Sequence, residues 1–305
     1  MSIVGLDEVT LGTDDVAAGR RFLHDFGLEE VDSGAAGATF HARDGTGLRI
    51  RDAGDRSLPP AVAGGPNIRE ALWGVSDPAT LEALGRELGR DREARLGPDG
   101  VLRSTDDEGN AIAFRLTRRR AYAVEPVQIN VPGMAPQRKA NRVVDFHSPV
   151  RPCTFSHLVY FTDDVRRAEA FYTARLGFRV SDRFTGTGVF LRAAGSTDHH
   201  NLFFIKRPDA PVRGLHHIAF HCRDLTEVML AGAAMTRKGH ETAWGPGRHI
   251  FGSNHFWYFK SPFGGNLEFD ADMDVVDDHW IPRETMAGPD TASIWQTAYV
   301  AAGHR

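Results

Sequence analysis

FSHLVYFTDDVRRAEAFYTARLGFRV, residues 155–180, is the stretch from which the fold of this chain can be inferred. It begins with an apolar, β-branched run typical of a strand, continues through Thr-Asp-Asp into an amphipathic segment typical of a helix, and ends in a second strand-like run. The Thr-Asp-Asp sequence suits a helix N-terminus, where side-chain oxygens accept free main-chain amide hydrogens and acids complement the helix dipole. Gly177 suits the helix C-terminus, where a left-handed residue is favoured.

The same pattern occurs near the start of the chain. LDEVTLGTDDVAAGRRFLHDFGLEEV, residues 6–31, aligns with residues 155–180 and shares the Thr-Asp-Asp sequence. Within each half the pattern recurs, because residues 71–88 correspond to 218–235 and residues 107–116 correspond to 263–272. The repeats predict an α+β fold of two domains, each made of two βαβββ modules. The expected divisions are an N-terminal domain over 1–118, a connector over 119–150, a second domain over 151–272 and a C-terminal tail over 273–305.

Length and composition exclude several classes of protein. The chain has 305 residues, 41% hydrophobic and 25% charged, which is typical of a soluble globular protein with room for two domains, each with its own core. A net charge of -4 and a basic run of only three residues, Arg118–Arg120, argue against nucleic acid as a partner. The acidic N-terminus and the absence of long apolar runs predict a cytoplasmic protein without a membrane span. Cys153 and Cys222 are expected to be free thiols.

Three residues of the second half are candidate metal ligands. Glu268 is a single carboxylate between Leu267 and Phe269 in an apolar run, and His157 and His217 each lie at the start of such a run. Two imidazoles and one carboxylate form the facial ligand set that holds non-haem Fe(II) and leaves coordination positions open for substrate and oxygen. Strand alternation by itself leaves open whether His216 or His217 faces the metal.

The first half provides an internal control for these ligands. The alignment places Glu8 at the position of His157, Glu70 at that of His217 and Ile112 at that of Glu268. Because the first half lacks the ligand set, the fold itself does not require it. We therefore expect the chemistry in the second half, with the first half as a structural or dimer-forming copy.

The motif GPGRH(x)8YFKSPFGGNLE over residues 245–268, together with LHHIAFH and SHLVYFT, resembles the type I extradiol ring-cleaving dioxygenases of the vicinal oxygen chelate superfamily. These are the catechol 2,3-dioxygenase and 2,3-dihydroxybiphenyl dioxygenase group. The residue-level resemblance spans about 150–272 and implies that His217, rather than His216, joins His157 and Glu268 as a ligand. It implies Fe(II) as the metal, with Mn(II) as an alternative, and no organic cofactor.

The resemblance also implies roles for residues around the metal. His200 matches a histidine that handles the substrate hydroxyl proton, Tyr258 matches a tyrosine near the metal-bound oxygens, and His249 matches a histidine on the substrate side. Phe251, Asn254 and His255 are expected to line the substrate pocket. The implied partners are a small aromatic diol and O2, the implied product is of the muconic semialdehyde type, and the implied assembly is a homo-oligomer.

The superfamily also includes glyoxalase-like isomerases and lyases, fosfomycin-modifying transferases, 4-hydroxyphenylpyruvate dioxygenase and ligand-binding resistance proteins, which the fold alone does not separate. The combination of His200, His249 and Tyr258 favours extradiol cleavage. A fourth protein ligand with a redox-inert metal such as Zn or Ni would favour an isomerase.

Overall fold

Two β-sheets, one from each half of the chain, form the frame of the protein, and the computed structural model describes residues 2–62, 68–207 and 212–297. The first half contains β1 (Ile3–Thr13), α1 (Val16–Asp25), β2 (Glu29–Gly34), β3 (Gly37–His41), β4 (Gly47–Asp52), β5 (Ile68–Val75), α2 (Pro78–Leu88), β6 (Arg95–Leu96), β7 (Leu102–Thr105) and β8 (Ala111–Leu116).

The second half repeats this order and adds three short elements at its end. It contains β9 (Thr154–Phe161), α3 (Val165–Ala170), a π-helical turn (Phe171–Arg175), β10 (Arg179–Phe184), β11 (Gly188–Arg192), β12 (Leu202–Ile205), β13 (Gly214–His221), α4 (Leu225–Arg237), β14 (Thr242–His249), β15 (His255–Lys260), β16 (Asn266–Ala271), β17 (Arg283–Thr285), α5 (Pro289–Ala292) and β18 (Ser293–Gln296). The α+β fold of four βαβββ modules is therefore confirmed.

The strand order is the same in both halves apart from the edges. The first sheet runs β2-β3-β4-β1-β5-β8-β7-β6, and the second runs β17-β10-β11-β12-β9-β13-β16-β15-β14-β18. The tail strands β17 and β18 thus pair with opposite edges of the second sheet, which the sequence pattern did not predict. No helix in the described ranges is long and apolar enough to cross a lipid bilayer.

An aspartate begins each of the four module helices. Its carboxylate accepts a hydrogen bond from the main-chain nitrogen three residues later, at 2.8 to 3.0 Å, in all four helices: Asp15, Asp77, Asp164 and Asp224. In the Thr-Asp-Asp sequences the second aspartate is the cap. The sequence repeat therefore reflects a local requirement of each βα turn.

The apolar cores of the two halves are continuous, which differs from the expectation of two separate cores. One cluster of buried side chains runs through both halves. The ring of Phe26 at the end of α1 stacks on Phe269 of β16 at 3.8 Å, and Trp73 of β5 meets Phe178 edge-on at 5.1 Å. The apolar face of α1 therefore packs on the other half as well as on its own sheet.

The strand register corrects one alignment between the halves. Ala71 of β5 pairs with Ile112 of β8, and the corresponding Ile218 of β13 pairs with Leu267 of β16. Ala113, one residue later, therefore occupies the position of Glu268, and the expectation of Ile112 there is wrong by one residue. The reason is that Ile112, like Leu267, faces the main core.

Candidate metal centre

Three adjacent strands, β9, β13 and β16, place His157, His217 and Glu268 on one face of the second sheet. The alternate residues Leu158, Ile218 and Leu267 belong to the main core on the other face. All three candidate ligands are buried, and Glu268 is completely so. Strand alternation and the order of the strands therefore bring together residues that lie about a hundred positions apart along the chain.

The ligand atoms converge on one point. The Nε2 atoms of His157 and His217 lie 3.1 Å apart, and each is 3.2 Å from Oε2 of Glu268. No residue in the described part of the chain makes a well-aligned hydrogen bond to either carboxylate oxygen of Glu268. A buried carboxylate without such donors is costly unless a cation pairs with it. These donors therefore fit a divalent metal ion held by two imidazole nitrogens and one carboxylate.

The outward nitrogens of both imidazoles are already engaged. The Ser156 hydroxyl donates to Oδ2 of Asp270 at 2.8 Å and lies 2.8 Å from Nδ1 of His157, so it accepts the Nδ1–H hydrogen. Nδ1 of His217 lies 2.6 Å from Nδ1 of His216. Both arrangements leave Nε2 free for a metal, as is usual for metal-binding histidines. The sequence patterns did not predict a role for Ser156 or Asp270. Ser156 lies next to His157 and Asp270 lies two residues after Glu268, and this closeness to candidate ligands is the signal that could have indicated them.

The protonation states suit metal binding. Burial raises the pKa of Glu268, but the imidazoles of His157 and His217 outweigh it and hold the pKa well below its ordinary value. Burial lowers the pKa of His217 to about 4, and burial together with His217 lowers that of His216 to about 3. At neutral pH the Glu268 carboxylate is therefore ionised and the imidazoles of His216 and His217 are neutral. An ionised carboxylate and a neutral imidazole are the forms that bind a metal cation.

A cavity of about 140 Å³ adjoins these ligands. His200, His249 and Tyr258 line one part of it, and the hydroxyl of Tyr258 lies 3.0 Å from Nε2 of His249. The opposite wall is apolar and mostly aromatic, with Val159, Phe184, Phe190, Phe203, Ile205 and Phe251. The structure therefore places the three predicted catalytic residues around one cavity beside the candidate ligands.

The three residues predicted to line the pocket lie in different places. Phe251 is part of the cavity wall, whereas Asn254 and His255 are not. Nδ2 of Asn254 lies 3.4 Å from Asp270, behind the ligands, and His255 faces Arg248. This corrects the expected positions of Asn254 and His255. The reason for His255 is alternation along β15, which directs Tyr258 to the cavity and odd-numbered side chains to the opposite face.

Comparison with known proteins points to one superfamily. The profile of the Glyoxalase/Bleomycin resistance protein/Dioxygenase superfamily matches residues 154–269. Metapyrocatechase 2 of Cupriavidus necator is 29% identical over 277 residues, covering 90% of this chain and 83% of that protein. The iron-dependent extradiol dioxygenase of Rhodococcus jostii is 29% identical over 152 residues, covering 46% of this chain and 49% of that protein.

Among solved structures, the Mn(II)-bound glyoxalase from Novosphingobium aromaticivorans superposes with a TM-score of 0.76 at 22% identity, covering 96% of this chain and 91% of that chain. At this level of identity the likeness concerns the fold. Both halves of the chain therefore have a counterpart in a known architecture.

Proposed function

Because residues 154–269 match the profile of the Glyoxalase/Bleomycin resistance protein/Dioxygenase superfamily, we propose that this protein is an extradiol dioxygenase. It cleaves a catecholic ring with O2 beside the two hydroxyl-bearing carbons and gives a product of the muconic semialdehyde type. The observation that carries the proposal is the convergence of His157, His217 and Glu268 at a cavity that His200 and Tyr258 also line. The names of the curated relatives support the same reaction.

The proposed resident metal is Fe(II), with Mn(II) as the alternative. Bound Fe(II) supplies the open coordination positions and the redox capacity that bring a catecholate and O2 together. His157, His217 and Glu268 would hold it, and Ser156 and Asp270 would orient His157. Within the described ranges the cluster offers three protein ligands, which supports a dioxygenase over an isomerase with a fourth ligand.

His200 is the proposed acceptor for the substrate hydroxyl proton. Burial, and then the nearby His157, hold the pKa of His200 well below its ordinary value, so the imidazole is neutral at pH 7 and can take a proton. A proton held there, on a ring that lines the cavity, can be returned when the ring opens.

Tyr258 and His249 are proposed to hold the oxygen atoms of the substrate in place. Burial, and then the Glu268 carboxylate, raise the pKa of Tyr258 well above its ordinary value, so its hydroxyl remains a hydrogen-bond donor at neutral pH. Nδ1 of His249 lies 3.2 Å from the carbonyl oxygen of Ala292, which fixes the ring from the tail side. Tyr258 and His249 thus form one hydrogen-bonded pair facing the reacting atoms.

The aromatic wall is proposed to receive the ring of the substrate. Phe190 and Phe203 stack at 3.9 Å and 4°, and Phe251 meets Phe190 edge-on at 5.6 Å. Such a wall packs against a planar ring and keeps water from the reacting carbons. A small aromatic diol is therefore the proposed substrate.

We also propose that the chain works in the cytoplasm as a homo-oligomer, with residues 1–118 as the non-catalytic domain and 151–272 as the catalytic one. The connector over 119–150 supports an assembly because it exposes several large apolar side chains: Val127, Ile129, Val131, Met134 and Phe146. Apolar side chains exposed together often mark an interface. Light scattering coupled to gel filtration would test the assembly, and a monomer at micromolar concentration would contradict it.

The decisive experiment for the reaction is O2 uptake by anaerobically purified, Fe(II)-loaded protein with a panel of substituted catechols, recorded with the absorbance of the yellow ring-cleavage product. Stoichiometric uptake with a yellow product is expected. Absence of uptake across the panel, in protein that binds Zn or Ni tightly, would instead support the glyoxalase-like isomerase or lyase that the likeness to a glyoxalase structure suggests.

A further inference from the structure

A line of buried side chains leads away from His200 on the side remote from the cavity. Nδ1 of His200 lies 3.0 Å from Nδ1 of His199, and Nε2 of His199 lies 2.8 Å from Oδ2 of Asp182. His199 and Asp182 are completely buried, and His200 nearly so. Because Nδ1 of His200 is engaged by His199, Nε2 is the nitrogen left to serve the substrate.

The far end of this line is fixed by the C-terminal segment. Arg283 of β17 donates to Asp182 through its main-chain nitrogen at 2.7 Å and through its guanidinium group at 2.5 Å. Burial raises the pKa of Asp182, but the hydrogen bonds from His199 and Arg283 outweigh it and lower the pKa below its ordinary value. Asp182 is therefore a carboxylate, which can only accept hydrogen bonds.

The donor and acceptor roles then follow along the line. Since Asp182 accepts, Nε2 of His199 carries the hydrogen that it donates. A neutral His199 must accept at Nδ1, and the hydrogen between the two rings belongs to Nδ1 of His200. Nε2 of His200 is then left with a free lone pair, which is the form that can take a proton from a substrate hydroxyl.

We propose that Asp182 and His199 are positioning residues that hold His200 in the Nδ1–H tautomer, with the Nε2 lone pair available to the cavity. This inference rests on the proposed function for the role of His200, but the tautomer itself is a property of the folded chain. It also gives the C-terminal segment a part in the site, because Arg283 orients Asp182.

The structure specifies how Asp182→Asn would act. The main-chain nitrogen of Arg283 lies 2.7 Å from Oδ1 and can only donate, so the amide oxygen of asparagine would remain there. The guanidinium group donates to Oδ2 at 2.5 Å in the wild type, and because this side chain is partly exposed it would turn away from an NH2 group at that position. The amide NH2 group would then face Nε2 of His199 and donate to it. His199 would carry its hydrogen on Nδ1 and donate to His200, whose remaining hydrogen would move to Nε2. The substitution therefore reverses the tautomer of His200.

The experiment is a long-range ¹H–¹⁵N correlation spectrum of the Zn(II)-loaded protein labelled with [¹⁵N]histidine, with the His200 signals assigned by their loss in His200→Phe. We expect a protonated Nδ1 and an unprotonated Nε2 in the wild type, and the reverse in Asp182→Asn. A wild-type His200 protonated at Nε2, or an unchanged tautomer in the variant, would overturn the inference. This readout needs no catalysis, so it separates the inference from the proposed function.

Two replacements of His199 provide a matched kinetic pair. In His199→Asn, the side-chain oxygen is an acceptor near the position of Nδ1, but the side chain is too short to reach Asp182. In His199→Gln, the side chain reaches Asp182 but has no acceptor near the position of Nδ1. If His199 acts on His200, His199→Asn retains more turnover than His199→Gln. The kcat of His199→Gln should fall by about 10²-fold, which is the lower end of the range typical of general acid–base catalysis. Its metal content and KM should change little. Equal losses, or better turnover with glutamine, would show that His199 only anchors Asp182.

Discussion

The two halves of the chain place different groups at the same positions of the same fold. Where the second half has the ligands His157 and His217, the first half has Glu8 and Glu70, and where it has Glu268 the first half has Ala113. The carboxylates of the first half are paired with arginines: Arg49 lies 3.1 Å from Glu8, and Arg103 lies 3.3 Å from Glu70.

The difference teaches how each half satisfies the charge on this face of its sheet. The first half supplies its own cations as guanidinium groups. The second half instead sets one buried carboxylate beside two imidazoles and leaves it without well-aligned hydrogen-bond donors among the described residues. The same scaffold therefore serves as a closed set of ion pairs in one copy and as a candidate metal site in the other.

The largest effect is expected from replacing Glu268 with alanine, the residue that the first half has at the corresponding position, Ala113. Glu268→Ala removes the charged ligand, and metal affinity should fall by more than the roughly 10- to 100-fold typical of residues that only support a ligand. Ring cleavage should be lost with the metal. Metal analysis after dialysis, combined with O2 uptake, measures both effects.

The matched control is Glu70→Ala, which removes a carboxylate of the first half instead. This variant should keep its metal and its turnover, because Glu70 is paired with Arg103 and is remote from the metal ligands. Retention of metal and activity in Glu268→Ala, or their loss in Glu70→Ala, would contradict the assignment of the site to the second half.

His200→Phe should separate metal binding from turnover. The ring of phenylalanine fills the space of the imidazole but cannot accept a proton, so metal content should be retained while kcat falls by about 10²- to 10⁴-fold. Steady-state O2 uptake and metal analysis measure the two quantities. A control in the first half is His24→Phe, since His24 is largely exposed on α1. Normal turnover in His200→Phe would remove this residue from the mechanism.

Ser156→Ala tests the support behind His157 and should have a smaller effect. The change removes the hydroxyl that links Nδ1 of His157 to Asp270, and loss of such a partner typically lowers metal affinity about 10- to 100-fold. Competition with a chromophoric chelator measures the affinity. Ser104→Ala is the control, because the hydroxyl of Ser104 bonds only to a carbonyl oxygen near the surface. An affinity equal to that of the wild type would mean that the hydroxyl does not orient the ligand.

The halves should also differ in how pH affects the metal-free protein. The pKa of His217 is about 4 in the folded state against an ordinary value of 6.5, so the unfolded state binds more protons between these values. The free energy of unfolding should therefore fall as pH falls from 6.5 to 4, by about 3 kcal/mol for a shift of this size. Urea unfolding across this range should show a shallower slope for His217→Gln.

Glu70 should act in the opposite direction. Burial raises its pKa above the ordinary 4.5, although Arg103 and Arg49 oppose this. Its contribution to stability is therefore present below pH 4.5 and is lost as pH rises through the folded-state pKa. Glu70→Gln should therefore remove this loss of stability with rising pH. Urea unfolding across the same pH range measures the change in the free energy of unfolding. An identical pH dependence in the two variants would contradict the difference between the halves.

Sequence reasoning succeeded where the determining forces are local or periodic. The four module helices were predictable because each begins with an aspartate that caps its own first turn. His157 and Glu268 could be chosen because a buried strand has little reason to carry an imidazole or a carboxylate without a partner. His217 needed the resemblance to known dioxygenases, because alternation alone did not separate it from His216.

Other features depend on which distant strands become neighbours. Asp182 is linked to His199 only because β10 and the loop before β12 meet, and Arg283 reaches Asp182 only because β17 joins β10. The side of β15 on which His255 lies depends on its register with β16. The continuous core likewise depends on side-chain packing between the halves, for which a sequence has no periodic signal.

That continuous core has a consequence for how the two halves depend on each other. With Phe26 stacked on Phe269 and Trp73 against Phe178, a second half released from the first would expose aromatic surface and lose part of the packing beneath strand β16. Such a fragment would be prone to aggregation. A sequence change that weakens the packing of the first half would therefore also weaken the support beneath the candidate metal ligands, although none of the described residues of the first half belongs to that ligand set.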